Sequence, residues 1–393
     1  MSLIFTRQRV AYYCTVLLVS AFLVQVLSAI RDREIGGDFP AFYAEGKVAL
    51  KYPHSHLYNV DLQDKEYSAI MGAEKSSPVA FTPWFTIPLA LFARLPYLVA
   101  LAVWTLISVT SLILGFWLTA RSVGLPASWN YLGSLVCLAF PPYLFYTLIN
   151  GQPSAFAFFI LAYTYFLQKN GWPLLAGIVL SLLTFKPTLV VFLGPMLLVA
   201  RQWRIFSGLT IGGSVLALIS LMWAGLEGCR GYFKLLGMYT QAINSTVEVF
   251  QTHKYIDIGA ALRLLFGPQP TLRLVLLLFA FPLVCFLWYR IGSRPLSWSL
   301  AIVCGLLFNL YSPIYDCTIL IFAVMLIAVD TLDTWMIGAL YLVPVVTVPV
   351  AKSTGIQLYT LVLIAFLIVL VRRAVANFRP SDGKLLKNDL VSC

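Results

Sequence analysis

The sequence predicts an all-α, polytopic membrane protein of about twelve transmembrane helices, because apolar runs near bilayer length recur from end to end. Two bulk features agree with that class. Of 393 residues, 60% are hydrophobic and only 11% are charged, and the mean hydropathy is +0.86. A soluble domain carries about a quarter charged residues. The formal net charge is +11. In a membrane protein, Lys and Arg collect in cytoplasmic loops as topology signals. Nothing resembles a nucleic-acid-binding motif, so no nucleic acid partner is expected.

Arg7 and Arg9 precede the first apolar run, 10–30. That run is longer than a signal-peptide core, and Leu27-Ser28-Ala29 is a poor cleavage site, so it reads as a retained span. A long polar segment follows from Arg31 to about Pro83. The run 84–95 is short and punctuated by Pro83, Pro88 and Pro96, which suits an interfacial or re-entrant piece. Apolar runs then cover 97–120, 129–148, 153–167, 173–185, 189–200, 206–226, 272–289, 296–311, 314–329, 335–350 and 355–371. Alternating these from a cytoplasmic amino terminus puts Arg121, Lys169, Arg201 with Arg204, Arg290 with Arg294, and Arg372 with Arg373 on the inside. The turn at Asp330–Asp333 is the one inner loop without a base. Both termini are therefore expected in the cytoplasm. A miscount by two in the short pair around Lys186 would leave the ends unchanged. Residues 1–376 read as one membrane domain, with a first outer loop at 31–96 and a second at 227–271. The polar tail 377–393 reads as disordered.

The outer side holds the polar features that topology leaves unexplained. Asp38 lies just past the first span, at the lip of the bilayer, where a carboxylate is costly unless solvated or used. Gly36 and Gly37 let the chain turn there, and Pro40 disfavours αR at Phe39. Phe39, Phe42, Tyr43 and Val48 then recur at roughly helical spacing, with Glu45 and Lys47 on other faces, so an amphipathic surface helix is expected. A plain topological turn would explain Asp38 as well. Lys186 and Lys352 are basic in short outer turns, suited to a lipid phosphate as point charges. Snorkelling to headgroups is the structural alternative. Asn150 and Gln152, in Asn150-Gly151-Gln152-Pro153, offer amides to sugar hydroxyls or to helix ends. Tyr315 and Asp316, in a second tight turn, offer a phenol and an acid; Asp316 serves equally well as a partner for a helix dipole.

Other signals are weaker. His54 and His56 form an H-x-H pair near Glu34, Glu45, Asp61, Asp64 and Glu66, but no helical metal-ligand spacing accompanies it, so no metal is expected. The seven cysteines show no C-x-x-C, and Cys14, Cys137, Cys285 and Cys304 read as core residues. Asn244-Ser245-Thr246 fits a glycosylation sequon. No Walker loop, G-x-S-x-G or G-x-G-x-x-G is present, and no cofactor is expected.

Taken as a set, several motifs resemble glycosyltransferase family 87. They are G-G-D-F-P-A-F-Y at 36–43, L-Y-N-V at 57–60, F-T-P-W-F-T-I-P-L-A from Phe81, N-G-Q-P-S-A-F from Asn150, F-K-P-T-L from Phe185 and R-Q-W-R from Arg201. That family includes mannosyl- and arabinofuranosyltransferases that use polyprenyl-phosphate sugars. The chain departs from it at the late turn, where members often carry a histidine and this sequence has Tyr315-Asp316. The resemblance implies a GT-C bundle with interfacial helices in the first outer loop, in a bacterial cytoplasmic membrane. It also implies inverting, metal-independent transfer of mannose, another hexose or arabinofuranose. The partners implied are a polyprenyl-phosphate-linked sugar donor, an extracytoplasmic lipid or glycan acceptor, and membrane lipids.

On that footing Asp38 suits a general base for the acceptor hydroxyl. Lys186 and Lys352 suit the leaving phosphate. Phe39 and Tyr43, with Asn150, Gln152, Tyr315 and Asp316, suit substrate binding. The alternative class is a lipid-linked sugar transporter or flippase, which needs acids and bases lining a path through the spans. The apolar runs carry almost none.

Overall fold

The computed structural model describes residues 7–32, 36–72, 78–244, 251–292, 294–328 and 333–376. Among them the chain is helical throughout, with no strand and one isolated β-bridge, Tyr255 to Pro313. The tail 377–393, Glu34, Ser245 and Thr246 of the sequon, and Asp330 of the late inner turn lie outside the described residues.

Helix α1, Arg7–Asp32, precedes a segment in which α2 (Phe39–Lys51), α3 (Val60–Met71) and α4 (Pro83–Phe92) pack together. Local chemistry explains their limits. Pro40 and Pro83 sit in the first turns of α2 and α4, where a missing N–H costs nothing. The Asn59 side chain accepts the Leu62 N–H at 3.2 Å to cap α3. The surface-helix expectation for α2 is corrected here. Nine of its thirteen residues are buried, including Glu45, whose carboxylate takes the Gln63 side-chain amide. Its apolar stripe alone suggested a membrane-lying helix, but α3 and α4 cover the remaining face.

The bundle continues with α5 (Tyr97–Val123), α6 (Asn130–Leu138), α7 (Ser154–Lys169), α8 (Pro173–Ser181), α9 (Leu193–Val199) and the long α10 (Trp203–Asn244), which breaks at Gly225. Then follow α11 (Ile258–Phe266), α12 (Pro270–Ile291), α13 (Pro295–Phe308), α14 (Leu320–Ala328), α15 (Thr334–Thr354) and α16 (Leu358–Ala376). Between α6 and α7, Pro142–Leu148 forms a π-helix, and the axis bends by 55° where it meets the preceding helix.

Five described helices are long and apolar enough to cross a membrane, or six if the bent pair is one span. They include α5, α10, α12, α15 and α16. The other apolar helices are shorter, among them the two flanking Lys186, 173–185 and 187–199. The chain is thus an integral membrane protein by composition and helix length.

Helices α8 and the first half of α10 run side by side at backbone distance. A Cβ on Gly177 would strike the Ile205 carbonyl, and one on Gly208 the Leu174 carbonyl. Small residues permit that approach, which replaces the hydrophobic drive that lipid cannot supply. Leu174 meets Gly208 and Ser181 meets Gly212, so the two helices run parallel, and α9 must carry the chain back between them.

One end of the bundle collects the segments that matter below. The Thr82 N–H donates to Phe185 O at 3.3 Å, Asn309 Nδ2 to Thr188 O at 3.1 Å, Ile256 N–H to Ser312 O at 2.8 Å, and Gln357 Nε2 to Tyr255 O at 2.8 Å. Gly37 abuts Asn150 at the same end.

A Gly208→Leu protein should lose about 1–3 kcal/mol of stability from overpacking against Leu174 and Gly177. Thermal unfolding in detergent reads this out; an unchanged melting temperature means that the two backbones do not meet.

Candidate active site

Two tight turns interlock to place Asp38. The first is Gly36-Gly37-Asp38, where both glycines have positive φ, 106° and 57°. The second is Asn150-Gly151-Gln152, with Gly151 at φ 66°. A side chain at Gly37 would collide with the Asn150 backbone, and one at Gly151 with Phe39 Cβ, so neither position has room for a Cβ. The Asp38 N–H donates to Asn150 O at 3.0 Å, and Gln152 Nε2 donates to Asp38 Oδ2 at 2.6 Å. The Trp104 indole N–H fixes the second turn through Gly151 O at 2.7 Å. Asn150 therefore acts through its main chain, while its side-chain amide caps back to Tyr146 O at 3.1 Å.

Asp38 is solvent-accessible, yet protein surrounds it on most sides. Enclosure raises its carboxyl above the ordinary value, and the Gln152 amide and the Lys254 charge pull it part of the way back. Lys254 is exposed on the segment between α10 and α11. Burial likewise raises the Tyr255 phenol, and the charges of Tyr311, Asp257 and Asp38 add to that push. The Asp38 charge also adds to the rise of the Tyr239 and Tyr315 phenols, which burial chiefly causes.

The second centre is a buried ion pair. Lys186 Nζ donates to Asp316 Oδ2 at 2.5 Å, with the Asp316 side chain 1% exposed and that of Lys186 11%. Ser154 Oγ donates to the other carboxylate oxygen at 3.3 Å. The ammonium also lies over the Tyr315 ring, 4.9 Å from its centroid, and 5.8 Å from that of Tyr311. Thr147 binds Thr318 Oγ1 at 2.8 Å and Tyr315 O at 3.2 Å, tying the π-helix to the turn that carries Asp316. Ser154 follows Gln152 by two residues, so one short stretch touches both acids.

The structure thus unites Asp38, Asn150, Gln152, Lys186, Tyr315 and Asp316. It treats three other sequence candidates differently. Phe39 is 1% exposed and packs on Tyr97 and Trp104 at ring-centroid distances of 5.9 and 5.6 Å. Tyr43 is buried and donates its hydroxyl to Leu95 O at 2.6 Å. Both are core residues that anchor the Asp38 turn; neither ring has a face open to a sugar. Lys352 is exposed in the last turn of α15 and makes none of the contacts that join the others. The helix end that carries it packs on α11, where Gly355 faces Leu264 O.

His54 stacks on Trp223 at 3.8 Å, with its ring nitrogens at Trp223 O and Ala49 O. Glu66 pairs with Lys51 at 2.6 Å. No group of His, Cys, Asp and Glu suited to a metal occurs among the described residues.

Lys254, Tyr255 and Tyr239 escaped the sequence reading. Thr252-His253-Lys254-Tyr255 is a polar run in a long outer segment, which is the only hint the sequence offers. Its approach to Asp38 depends on the long-range pairing of Ile256 with Ser312.

The family model for Glycosyltransferase family 87 matches residues 80–313. No curated protein and no solved structure matches the chain.

Neutralising one partner of the buried pair, as in Lys186→Met or Asp316→Leu, should cost about 3–5 kcal/mol, because the other charge is left uncompensated. The double variant should recover much of that loss. Equal melting temperatures for the single variants and the wild type would remove the pair as a structural element.

Proposed function

Because the chain belongs to glycosyltransferase family 87, we propose that it transfers a sugar from a polyprenyl-phosphate donor to a lipid or glycan acceptor outside the cytoplasmic membrane of a bacterium, with inversion and with Asp38 as the base. The sugar is a hexose such as mannose, or arabinofuranose. The observation that carries this reading is the Asp38 carboxylate itself. It is accessible, held in place by one amide, and enclosed enough to bind a proton more readily than an ordinary carboxylate.

The chemistry follows from that placement. The acceptor hydroxyl attacks the anomeric carbon from the face opposite the phosphate. Its proton passes to the free oxygen of Asp38 as the new C–O bond forms. The old bond to phosphate oxygen breaks, and polyprenyl phosphate leaves with the electron pair. A raised carboxyl value improves the base, provided that the group stays ionised at working pH. Gln152 orients the carboxylate by donating to its second oxygen. Asp316 is too buried to meet substrate and serves to hold Lys186, whose charge it largely offsets; Tyr315 flanks that pair.

The topology belongs to the same proposal. Residues 1–376 form one membrane domain of GT-C type with about twelve passages, the loops at 31–96 and 227–271 lie outside with the α2–α4 layer at the interface, and both termini are cytoplasmic. Support comes from the segments gathered around Asp38, which are those the charge pattern puts outside. Arg121, Lys169, Arg204, Arg290 and Arg373 fall at the other ends of their helices.

Membranes supplied with labelled polyprenyl-phosphate mannose and cell glycolipid should show transfer by the wild type. Asp38→Asn should reduce it by about 10²–10⁴-fold, and a variant that keeps full rate removes the mechanism.

The pH profile gives a second test. A base must be unprotonated, so kcat/KM should fall as pH drops through the Asp38 value, which burial raises above that of a free aspartate. Gln152→Leu removes a bond to the charged form and should move that acid limb to higher pH. A limb that stays in place separates Gln152 from the base.

A further inference from the structure

The buried pair leaves a gap in the proposed reaction: the departing phosphate needs cations, and Lys186 is committed to Asp316. A second feature of the outer end fills it. Between α11 and the start of α12 lies a shallow open cleft, lined by Arg263 and Arg273 together with Thr252, Gln269, Tyr255 and Tyr311. Tyr255 lies within reach of the Asp38 charge, and Tyr311 lies beside Lys186. Tyr311 thus lines the cleft and also flanks the Lys186–Asp316 pair.

The charge of the cleft favours an anion. Its described lining contains two guanidiniums against one carboxylate, Asp257. Asp257 accepts the main-chain N–H groups of Ala260 at 2.9 Å and Ser312 at 3.0 Å, and its charge acts on Arg273, so it offsets one of the two guanidiniums and leaves the described lining net positive. Arg273 is braced by the Asn309 carbonyl. Lys254 and Lys352 stand on neighbouring elements, because α15 packs against the turn 252–254 and Gly355 against α11. These bases fall on the side that the positive-inside bias leaves poor in Lys and Arg. A planar guanidinium matches a phosphate with paired donors.

The surroundings select a lipid as the source of that phosphate. Leu265 and Phe266 at the end of α11 are exposed, as are Leu272, Leu274, Leu278 and Phe279 along α12. An apolar track thus leads from the cleft along a helix that is itself long enough to span a bilayer.

We infer that the cleft between α11 and α12 seats the phosphate of a prenyl-type lipid, with Arg263 and Arg273 as its cations and the exposed face of α12 as the path of the chain. This rests on the polyprenyl-phosphate reading above and names where that donor binds. As the sugar leaves, the lipid phosphate gains charge, and fixed guanidiniums stabilise that gain.

The test uses the full-length protein in detergent, with citronellyl phosphate, citronellol and inorganic phosphate as probes, and titration calorimetry as the readout. The wild type should bind citronellyl phosphate more tightly than either other probe. Arg263→Gln and Arg273→Gln should each weaken it about tenfold, the loss of one charge-assisted contact. Gln269→Glu adds a carboxylate to the cleft at constant shape, keeps both arginines, and should weaken binding similarly; it decides the matter if an arginine variant fails to fold. Citronellyl phosphate binding that is unchanged in these variants overturns the cleft and leaves the donor class standing. A wild type that ignores citronellyl phosphate overturns both. Inorganic phosphate bound as tightly as citronellyl phosphate overturns the lipid source.

Discussion

Everything at the Asp38 end of the bundle depends on the contact between two glycine turns. The chain leaves its first helix, reverses through Gly36 and Gly37, and meets the Asn150-Gly151-Gln152 turn with no side chain between the backbones. The Asp38 N–H closes that contact, and the Gln152 side chain closes it again through the carboxylate. Trp104 and Phe39 fill the space behind. The acid is thereby fixed by the main chain on one side and by one amide on the other. Among the described residues, side-chain donation to the carboxylate falls on one oxygen, and a base requires the other to be open to a proton.

The second constraint is electrostatic. Lys186 sits between two short apolar helices and would be costly there alone. Asp316, Ser154 and the ring of Tyr315 surround it, so the charge is matched locally. A pair of this kind costs nearly as much to desolvate as it returns, and its value lies in what it fixes. Here it joins the turn after α8 to the turn before α14. It also brings Ser154, at the start of α7, to the same point. Three separated stretches of chain thus converge within a few ångströms of one another.

Much of this was legible in the sequence, and the reasons are physical. Membrane character follows from mean hydropathy, and the spacing of apolar runs and bases assigns Asp38, Asn150, Lys186 and Asp316 to one side, on which the structure gathers them at one end of the bundle. Prolines and glycines marked the turns that hold them. Partnership was not legible. No local pattern shows that Lys186 will neutralise Asp316, 130 residues away. Nor does the pattern of α2 show that its polar side will be covered, since Glu45 looks like a surface residue until Gln63 arrives from α3. Phe39 and Tyr43 suggested ligand contacts because they stand beside the acid, yet that proximity reflects their packing beneath it. Lys254 and the arginines of the cleft were hidden because their meaning depends on the long-range contact of Ile256 with Ser312.

The π-helix at Pro142–Leu148 has a consequence for how the two acids are reached. A wider turn holds more residues than an ordinary one, so it advances the angular phase of everything that follows. In a regular helix each residue turns the direction of its side chain by about 100°. A chain one residue shorter in this stretch would close up as plain α-helix and rotate Gln152 and Ser154 away from their carboxylates. The irregular turn therefore works as a phase shifter.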